Sequence, residues 1–274
     1  MGVLVTGDEL AALLEDPDRD VVVLDVRWKL GGPPGHATYL EGHVPGAVYV
    51  DLDTELARHG EPTDGRHPLP HLADLQRAAR RWGIGPATTV VAYDGEGNMA
   101  AARAWWLLRW GGHADVHLLD GALPAWVGAG RPLGTDDVVP PEGDVELAGG
   151  GLPILDVDDV EAFDGTLLDA RAGERFRGEV EPVDPKAGHV PGALSAPTGG
   201  NLAPDGRFLP PEQLRERFAA LGVDDGTRVA AYCGSGVTAA HQVAALEIAG
   251  IEAALYPGSW SQWSNLDKPV ATGA

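Results

Sequence analysis

Two tandem α/β domains, each a parallel sheet flanked by helices, are what this 274-residue sequence predicts. Three observations carry that expectation. The sequence repeats itself at about half its length, each half alternates short β-branched runs with helical patterns, and 44% hydrophobic residues can bury a sizeable core. The repeat is plainest in Gly42-His43-Val44-Pro45-Gly46-Ala47, which returns unchanged as Gly188-His189-Val190-Pro191-Gly192-Ala193. Leu24-Asp25-Val26-Arg27 returns as Leu168-Asp169-Ala170-Arg171, and eight of the fourteen positions 88–101 match 227–240. Residues 1–130 are therefore expected to form one domain and 152–274 a second. Between them, residues 131–151 carry Pro140-Pro141 and Gly149-Gly150-Gly151 among acidic residues, the composition of an exposed linker.

Thr6 with Glu9 three residues on is a capping-box signature ahead of Leu10, Leu13 and Leu14, so a helix opens the first half. Residues 21–26 follow as a buried-strand run. Leu72, Leu75, Ala79 and Trp82 recur at helical spacing and stop near Gly83. Residues 88–93 read as a strand, followed by a glycine-bearing turn and a helix over 100–110, which places Trp105, Trp106 and Trp110 at helical spacing. The second half repeats the order. A strand at Leu167-Leu168, a helix over 213–221, a strand at Val229–Tyr232, a turn, and a helix over 238–248 are expected.

In parallel sheets ligands bind beyond the carboxyl ends of the strands, and the turn after Tyr232 lies at that edge. It reads Cys233-Gly234-Ser235-Gly236-Val237-Thr238 and then enters a helix. Successive backbone N–H groups can curl around the sulfur with a helix N-terminus behind them, and both effects favour thiolate over thiol. Gly234 and Gly236 let the backbone bend, while Ser235 and Thr238 add donors for a bound anion. The corresponding turn of the first half, Asp94-Gly95-Glu96-Gly97-Asn98-Met99, keeps the glycines and puts a carboxylate where the thiol stands. One half carries the nucleophile and the other supports it. His43 and His189, in identical segments of both halves, read as parts of a shared turn.

The tandem repeats, the paired GHVPGA segments and the Cys-Gly-Ser-Gly-Val-Thr loop together resemble the two-domain rhodanese-family sulfurtransferases over nearly the whole chain. The resemblance implies transfer of a sulfane sulfur from 3-mercaptopyruvate or thiosulfate to a thiophilic acceptor through a persulfide on Cys233. Members specialised for thiosulfate tend to carry basic side chains after the cysteine, whereas the Gly-Ser-Gly version is similar to those using mercaptopyruvate. The family's carboxylate-binding arginine maps onto Arg175. A second substrate arginine is expected nine residues on, where this sequence has Asp184, so Arg177 or Lys186 would have to substitute. A Ser/His/Asp proton relay, by the same resemblance, would use Ser235, His67 and Asp53. Gly234, Gly236, Val237 and Thr238 would bind substrate beside Arg175.

Composition bounds the partners. Twenty Lys and Arg against 41 Asp and Glu leave a net charge of −21, which argues against nucleic acid or an anionic membrane surface. The expected partners are a small anionic sulfur donor and a thiol or cyanide acceptor. No cofactor or metal is required by the chemistry. Cys233 alone can form no intramolecular disulfide, and the N-terminus lacks the basic start and apolar stretch of a secretory signal, so a cytoplasmic location is expected. A cysteine phosphatase or arsenate reductase would need an arginine six residues after the cysteine, where Ala239 stands. A non-catalytic binding module would have no need of Cys233. A relay taking persulfide only from another protein stays open.

Overall fold

A computed structural model describes residues 2–224 and 226–274 of the chain. Its tertiary contacts group into two units. The first comprises Met1–Ala57, Pro70–Leu152 and Ala203–Phe208, and the second Arg58–Leu69, Pro153–Leu202 and Leu209–Ala274.

The first unit contains, in order, β1 (Leu4–Val5), α1 (Gly7–Glu15), β2 (Val21–Asp25), α2 (Gly35–Glu41), β3 (Val48–Tyr49), α3 (Leu52–Glu55), α4 (Leu72–Arg81), β4 (Thr89–Tyr93), α5 (Ala101–Trp110), β5 (Val116–Leu119) and α6 (Ala122–Gly128). Its sheet runs β1-β5-β4-β2-β3, parallel throughout, with Val23 opposite Val91 and Leu24 opposite Val48. Every residue of β4 is buried, which is why that run shows no polar alternation: a parallel strand is covered on both faces. The capping box at α1 is present, with Thr6 N–H donating to Glu9 Oε2 at 2.7 Å and Glu9 N–H to Thr6 Oγ1 at 3.2 Å. Trp105 and Trp106 are fully buried.

The second unit holds α7 (Val157–Glu161), β6 (Thr166–Asp169), α8 (Gly173–Phe176), β7 (Leu194–Ser195), α9 (Pro211–Ala219), β8 (Val229–Tyr232), α10 (Val237–Ile248), β9 (Ala254–Leu255) and α11 (Ser259–Trp263). Its parallel sheet runs β7-β6-β8-β9. α9 starts two residues before the expected helix because Pro211 suits a first helical position, where its missing N–H costs nothing.

The two GHVPGA segments do the same job in their respective units. The His43 ring nitrogen Nδ1 bonds the Tyr39 carbonyl at 3.0 Å, and His189 Nδ1 bonds that of Phe176 at 2.8 Å. Val44 N–H donates to Tyr93 Oη at 2.9 Å and Val190 N–H to Tyr232 Oη at 3.1 Å. Each segment thus ties a chain turn to the tyrosine that ends a central strand. The neighbouring pairs Arg27–Asp25 and Arg171–Asp169, with Nη2–Oδ2 distances of 2.7 and 2.6 Å, lock the next strand end.

Two sequence expectations are revised. Residues 131–151 are not a loose linker but a strap on the first unit. Gly134 pairs with His43, Gly143 N–H donates to the Arg80 carbonyl at 2.8 Å, Val145 N–H to that of Ile84 at 3.1 Å, and Val145 and Leu147 are buried. The proline and glycine content suits the sharp bends of a docked strap as well as it suits a linker. Residues 58–69 also leave the first domain in which a cut at 130 would place them. The 3-10 turn Pro62–Asp64 packs against α11, where Gln262 Nε2 donates to the Thr63 carbonyl at 3.1 Å and Arg66 N–H to Ser261 Oγ at 2.9 Å. Among the described residues, no helix is long and apolar enough to cross a membrane.

Candidate active site

β8 delivers Cys233 to the carboxyl edge of the second sheet, and α10 begins four residues later. The turn between them is held from outside: Cys233 N–H donates to Ser259 Oγ at 3.1 Å, while its carbonyl and that of Gly234 accept Trp260 and Ser261 N–H at 2.9 and 2.8 Å. Gly236 has φ +80, and a Cβ there would collide with the Pro257 carbonyl oxygen. Only glycine closes this turn. Closure brings Gly236 N–H to Cys233 Sγ at 3.1 Å, so the sulfur is the acceptor at the centre of the loop. Val237 and Thr238 open α10, where backbone N–H groups lack intrahelical acceptors and the helix dipole favours negative charge. Such a loop stabilises an anionic sulfur and any anion formed on it.

Gly234 is not in the left-handed region. Its side-chain space is taken instead by two cations: a methyl group there would lie 3.3 Å from Arg66 Nη2 and 3.5 Å from Arg175 Nη1. Arg175, on α8, is oriented by Glu181, with Nη2–Oε1 at 2.6 Å and Nε–Oε2 at 3.3 Å, and by Asp184 Oδ2 at 3.2 Å. Burial pushes Glu181 up, but the Arg175 hydrogen bond and the N–H groups of Asp184 and Val183 outweigh it and hold the carboxyl below its ordinary range. Glu181 therefore stays ionised at neutral pH.

Ser235 and His67 meet. Ser235 Oγ and His67 Nδ1 are 2.7 Å apart, and both side chains are buried. His67 reaches the loop because residues 58–69 pack with the second unit. Asp53 lies on α3 in the first unit, where its carboxylate accepts the Trp28 indole N–H at 3.0 and 3.1 Å. The two substitutes for a second arginine are engaged elsewhere. Arg177 donates to Glu179 at 2.7 and 2.9 Å, and Lys186 Nζ to the Leu266 carbonyl at 2.7 Å. Sequence reasoning passed over Arg66 and Glu181; the one available signal was that Arg66 adjoins His67. Trp260 is fully buried, with the Arg171 guanidinium 4.6 Å over its ring. It is scaffold.

The first unit's counterpart loop has filled itself. Asp94 accepts the N–H groups of Glu96, Asn98, Ala100 and Ala101 at 2.8, 2.9, 2.7 and 3.2 Å. Burial pushes the Asp94 carboxyl up against the pull of those donors. The carboxylate occupies the position a bound anion would take, so this loop is structural. Asp94→Ala is expected to strand buried N–H groups, each worth about 1–3 kcal/mol, and to lower Tm markedly. The folded fraction should keep its sulfur-transfer constants, as thermal melting and an active-site-normalised assay would register. A loss of transfer matching that of Cys233→Ala in folded protein would give the first loop a part in the chemistry. Among the described residues, no cluster of three or more His, Cys, Asp or Glu side chains is placed to hold a metal.

Comparison with known proteins agrees with this geometry. The rhodanese-like domain family matches residues 6–129 and again 146–266. A Mycobacterium tuberculosis protein carrying the name thiosulfate sulfurtransferase SseB is 49% identical over 99% of this chain and 97% of its own length. A Pseudomonas aeruginosa protein carrying the name 3-mercaptopyruvate sulfurtransferase is 47% identical over 98% of both chains. The crystal structure of SseA from Escherichia coli, described as a 3-mercaptopyruvate sulfotransferase with the rhodanese fold, superposes with a TM-score of 0.83 at 31% identity, covering 95% of this chain and 99% of that one. With a cysteine loop in one repeat and a self-filled loop in the other, this chain belongs to the rhodanese family, as a two-domain sulfurtransferase.

Proposed function

We propose that the protein moves a sulfane sulfur from a small anionic donor, 3-mercaptopyruvate ahead of thiosulfate, to a thiol or cyanide through a persulfide on Cys233. The contact between Gly236 N–H and Cys233 Sγ carries this reading, because it makes the sulfur the atom around which the loop is built. The Cys233 thiolate attacks the terminal sulfur of the donor. With thiosulfate, the S–S bond breaks and sulfite leaves with the electron pair. With mercaptopyruvate, the C–S bond breaks, pyruvate leaves as its enolate, and the donor's thiol proton ends on the methyl carbon. Both routes leave a persulfide anion, which the loop N–H groups and helix dipole stabilise. An acceptor thiolate or cyanide then takes the outer sulfur and restores the Cys233 thiolate, giving ping-pong kinetics.

The two donors differ in the proton. Thiosulfate needs none moved, whereas mercaptopyruvate needs one taken from sulfur and delivered to carbon. The hydrogen bond between Ser235 and His67 is suited to that transfer, and it supports mercaptopyruvate. Asp53, which the resemblance adds to the relay, belongs to the other unit, and its contribution is tested separately below. The names of the relatives divide between the two donors. Comparing kcat/KM for each is the deciding measurement. Turnover with neither donor, together with sulfur uptake from a persulfidated protein, would replace this reading by a protein-to-protein relay. The single cysteine fits a reducing cytoplasm, and the charge of −21 supports a protein without nucleic acid or membrane partners.

Arg175 is assigned to the donor's anionic group. Its removal loses a charge-assisted contact of about 1.5–3 kcal/mol, so Arg175→Ala is expected to lower kcat/KM roughly ten- to a hundredfold. Steady-state kinetics checks it; unchanged constants would remove Arg175 from the donor site.

A further inference from the structure

Ser235 and His67 stand 168 positions apart in the sequence, and the residues immediately before them are joined as well. Ser261, on α11, donates its backbone N–H to the Gly234 carbonyl at 2.8 Å and accepts the Arg66 N–H on Oγ at 2.9 Å. Gly234 precedes Ser235 and Arg66 precedes His67, so Ser261 closes a ring around the proton-transfer pair. Its hydroxyl donates to the Gly258 carbonyl at 3.2 Å, which leaves a lone pair for the Arg66 N–H, and the side chain is buried. The segment 58–69 lies close on this helix: a Cβ at Gly65, where φ is +89, would come within 2.8 Å of the Gly258 carbonyl oxygen. Gln262 adds a tie to the Thr63 carbonyl, and Arg66 Nη1 pairs with Asp184 Oδ1 at 2.8 Å.

The repeat marks this bridge as a property of the half that carries Cys233. Trp126 and Trp263 occupy matching places, each donating its indole N–H at 2.8 Å to a proline carbonyl six residues on. Leu123 N–H bonds the Asp94 carbonyl at 3.0 Å just as Trp260 N–H bonds that of Cys233. That register sets Pro124 opposite Ser261 and Ala125 opposite Gln262. Proline has no N–H to give and neither side chain carries a polar atom, so the first half can build no such bridge. We propose that Ser261 is a positioning residue for sulfur transfer from mercaptopyruvate: it registers His67 against Ser235 beside Cys233, so that a proton can pass from the donor's sulfur to its leaving carbon. A hydrogen bond between groups on separate segments holds its length only while both backbones are fixed, and proton transfer tolerates little misplacement. This inference rests on the proton-transfer reading of Ser235 and His67.

The test is steady-state kinetics of Ser261→Ala with each donor, alone and combined with His67→Ala. Alanine keeps the N–H that binds the Gly234 carbonyl and removes only the acceptor for Arg66 N–H, while the Arg66–Asp184 pair and the Gln262 tie still dock the segment. With mercaptopyruvate, kcat is expected to fall about ten- to a hundredfold, the effect of displacing a catalytic group by a fraction of an ångström to one ångström. With thiosulfate, which needs no proton moved, it should change by only a few fold. In the His67→Ala background, Ser261→Ala should cost mercaptopyruvate turnover nothing further, since the group it positions is already gone. Gln262→Met cuts the tie to Thr63 with Ser261 intact and should give the same donor contrast at smaller size, which keeps the test decisive if Ser261→Ala folds poorly. Equal losses with both donors, unchanged mercaptopyruvate turnover, or a full further loss on top of His67→Ala would overturn the proposal. If His67→Ala by itself leaves mercaptopyruvate turnover unchanged, the proton-transfer reading fails first and takes this proposal with it.

Discussion

Cys233→Ala is expected to abolish sulfur transfer from both donors, by at least about a thousandfold, while the protein stays folded. The sulfur is the one nucleophile at the centre of the loop, and no other thiol exists in the chain to substitute for it. Folding should survive because alanine removes a single buried atom. The cost is about 1 kcal/mol of lost contact, plus the orphaned Gly236 N–H. Cys233→Ser separates those effects: its hydroxyl can still accept that N–H, yet it offers no thiolate, so stability should recover while activity does not. Intact-mass measurement makes the result unambiguous. Donor treatment should add one sulfur atom to the unmodified protein, cyanide should remove it, and neither variant should gain any. Sulfur found on Cys233→Ala, or turnover by it, would remove the persulfide mechanism.

The sequence made some parts of this molecule legible and hid others for physical reasons. The buried central strands β4 and β8 were readable because short runs dominated by Val, Ala and Tyr, opened in β4 by the β-branched Thr89, have few other uses. Edge strands of two residues, such as β1 and β7, carry no period and could not be seen. The loop around Cys233 was local in sequence and contrasted directly with its repeat. Residues 58–69 were the opposite case. Their departure to the second unit is set by hydrogen bonds to Ser261 and Gln262, nearly two hundred residues away, which no spacing rule reports. Hence Arg66 was missed, and Asp184 read as a defect where it is a partner. The strap over 131–151 misled for a related reason: proline and glycine mark bends, and a bend is compatible with either exposure or docking.

His67→Ala and Ser235→Ala are expected to lower turnover of mercaptopyruvate by about a hundred- to ten-thousandfold, the range of a positioned acid–base group, and to change thiosulfate turnover by only a few fold. The asymmetry follows from the proton. Both donors present a sulfur to the same Cys233, bind the same loop and leave the same persulfide, but only pyruvate leaves as a carbanion equivalent that must be protonated. The thiosulfate arm is therefore an internal control. If it holds, the variant is folded, Cys233 is reactive and the loop is intact. Because Ser235 Oγ and His67 Nδ1 are 2.7 Å apart, the two groups are expected to act as a unit. The double variant should then be no worse than the poorer single one, since the second substitution removes nothing still working. Asp53→Asn completes the series; a fall confined to mercaptopyruvate would place its carboxylate in the same relay. Equal losses with both donors would mean that Ser235 and His67 shape the loop instead of moving a proton. The preference for mercaptopyruvate would then lose the hydrogen bond on which it rests.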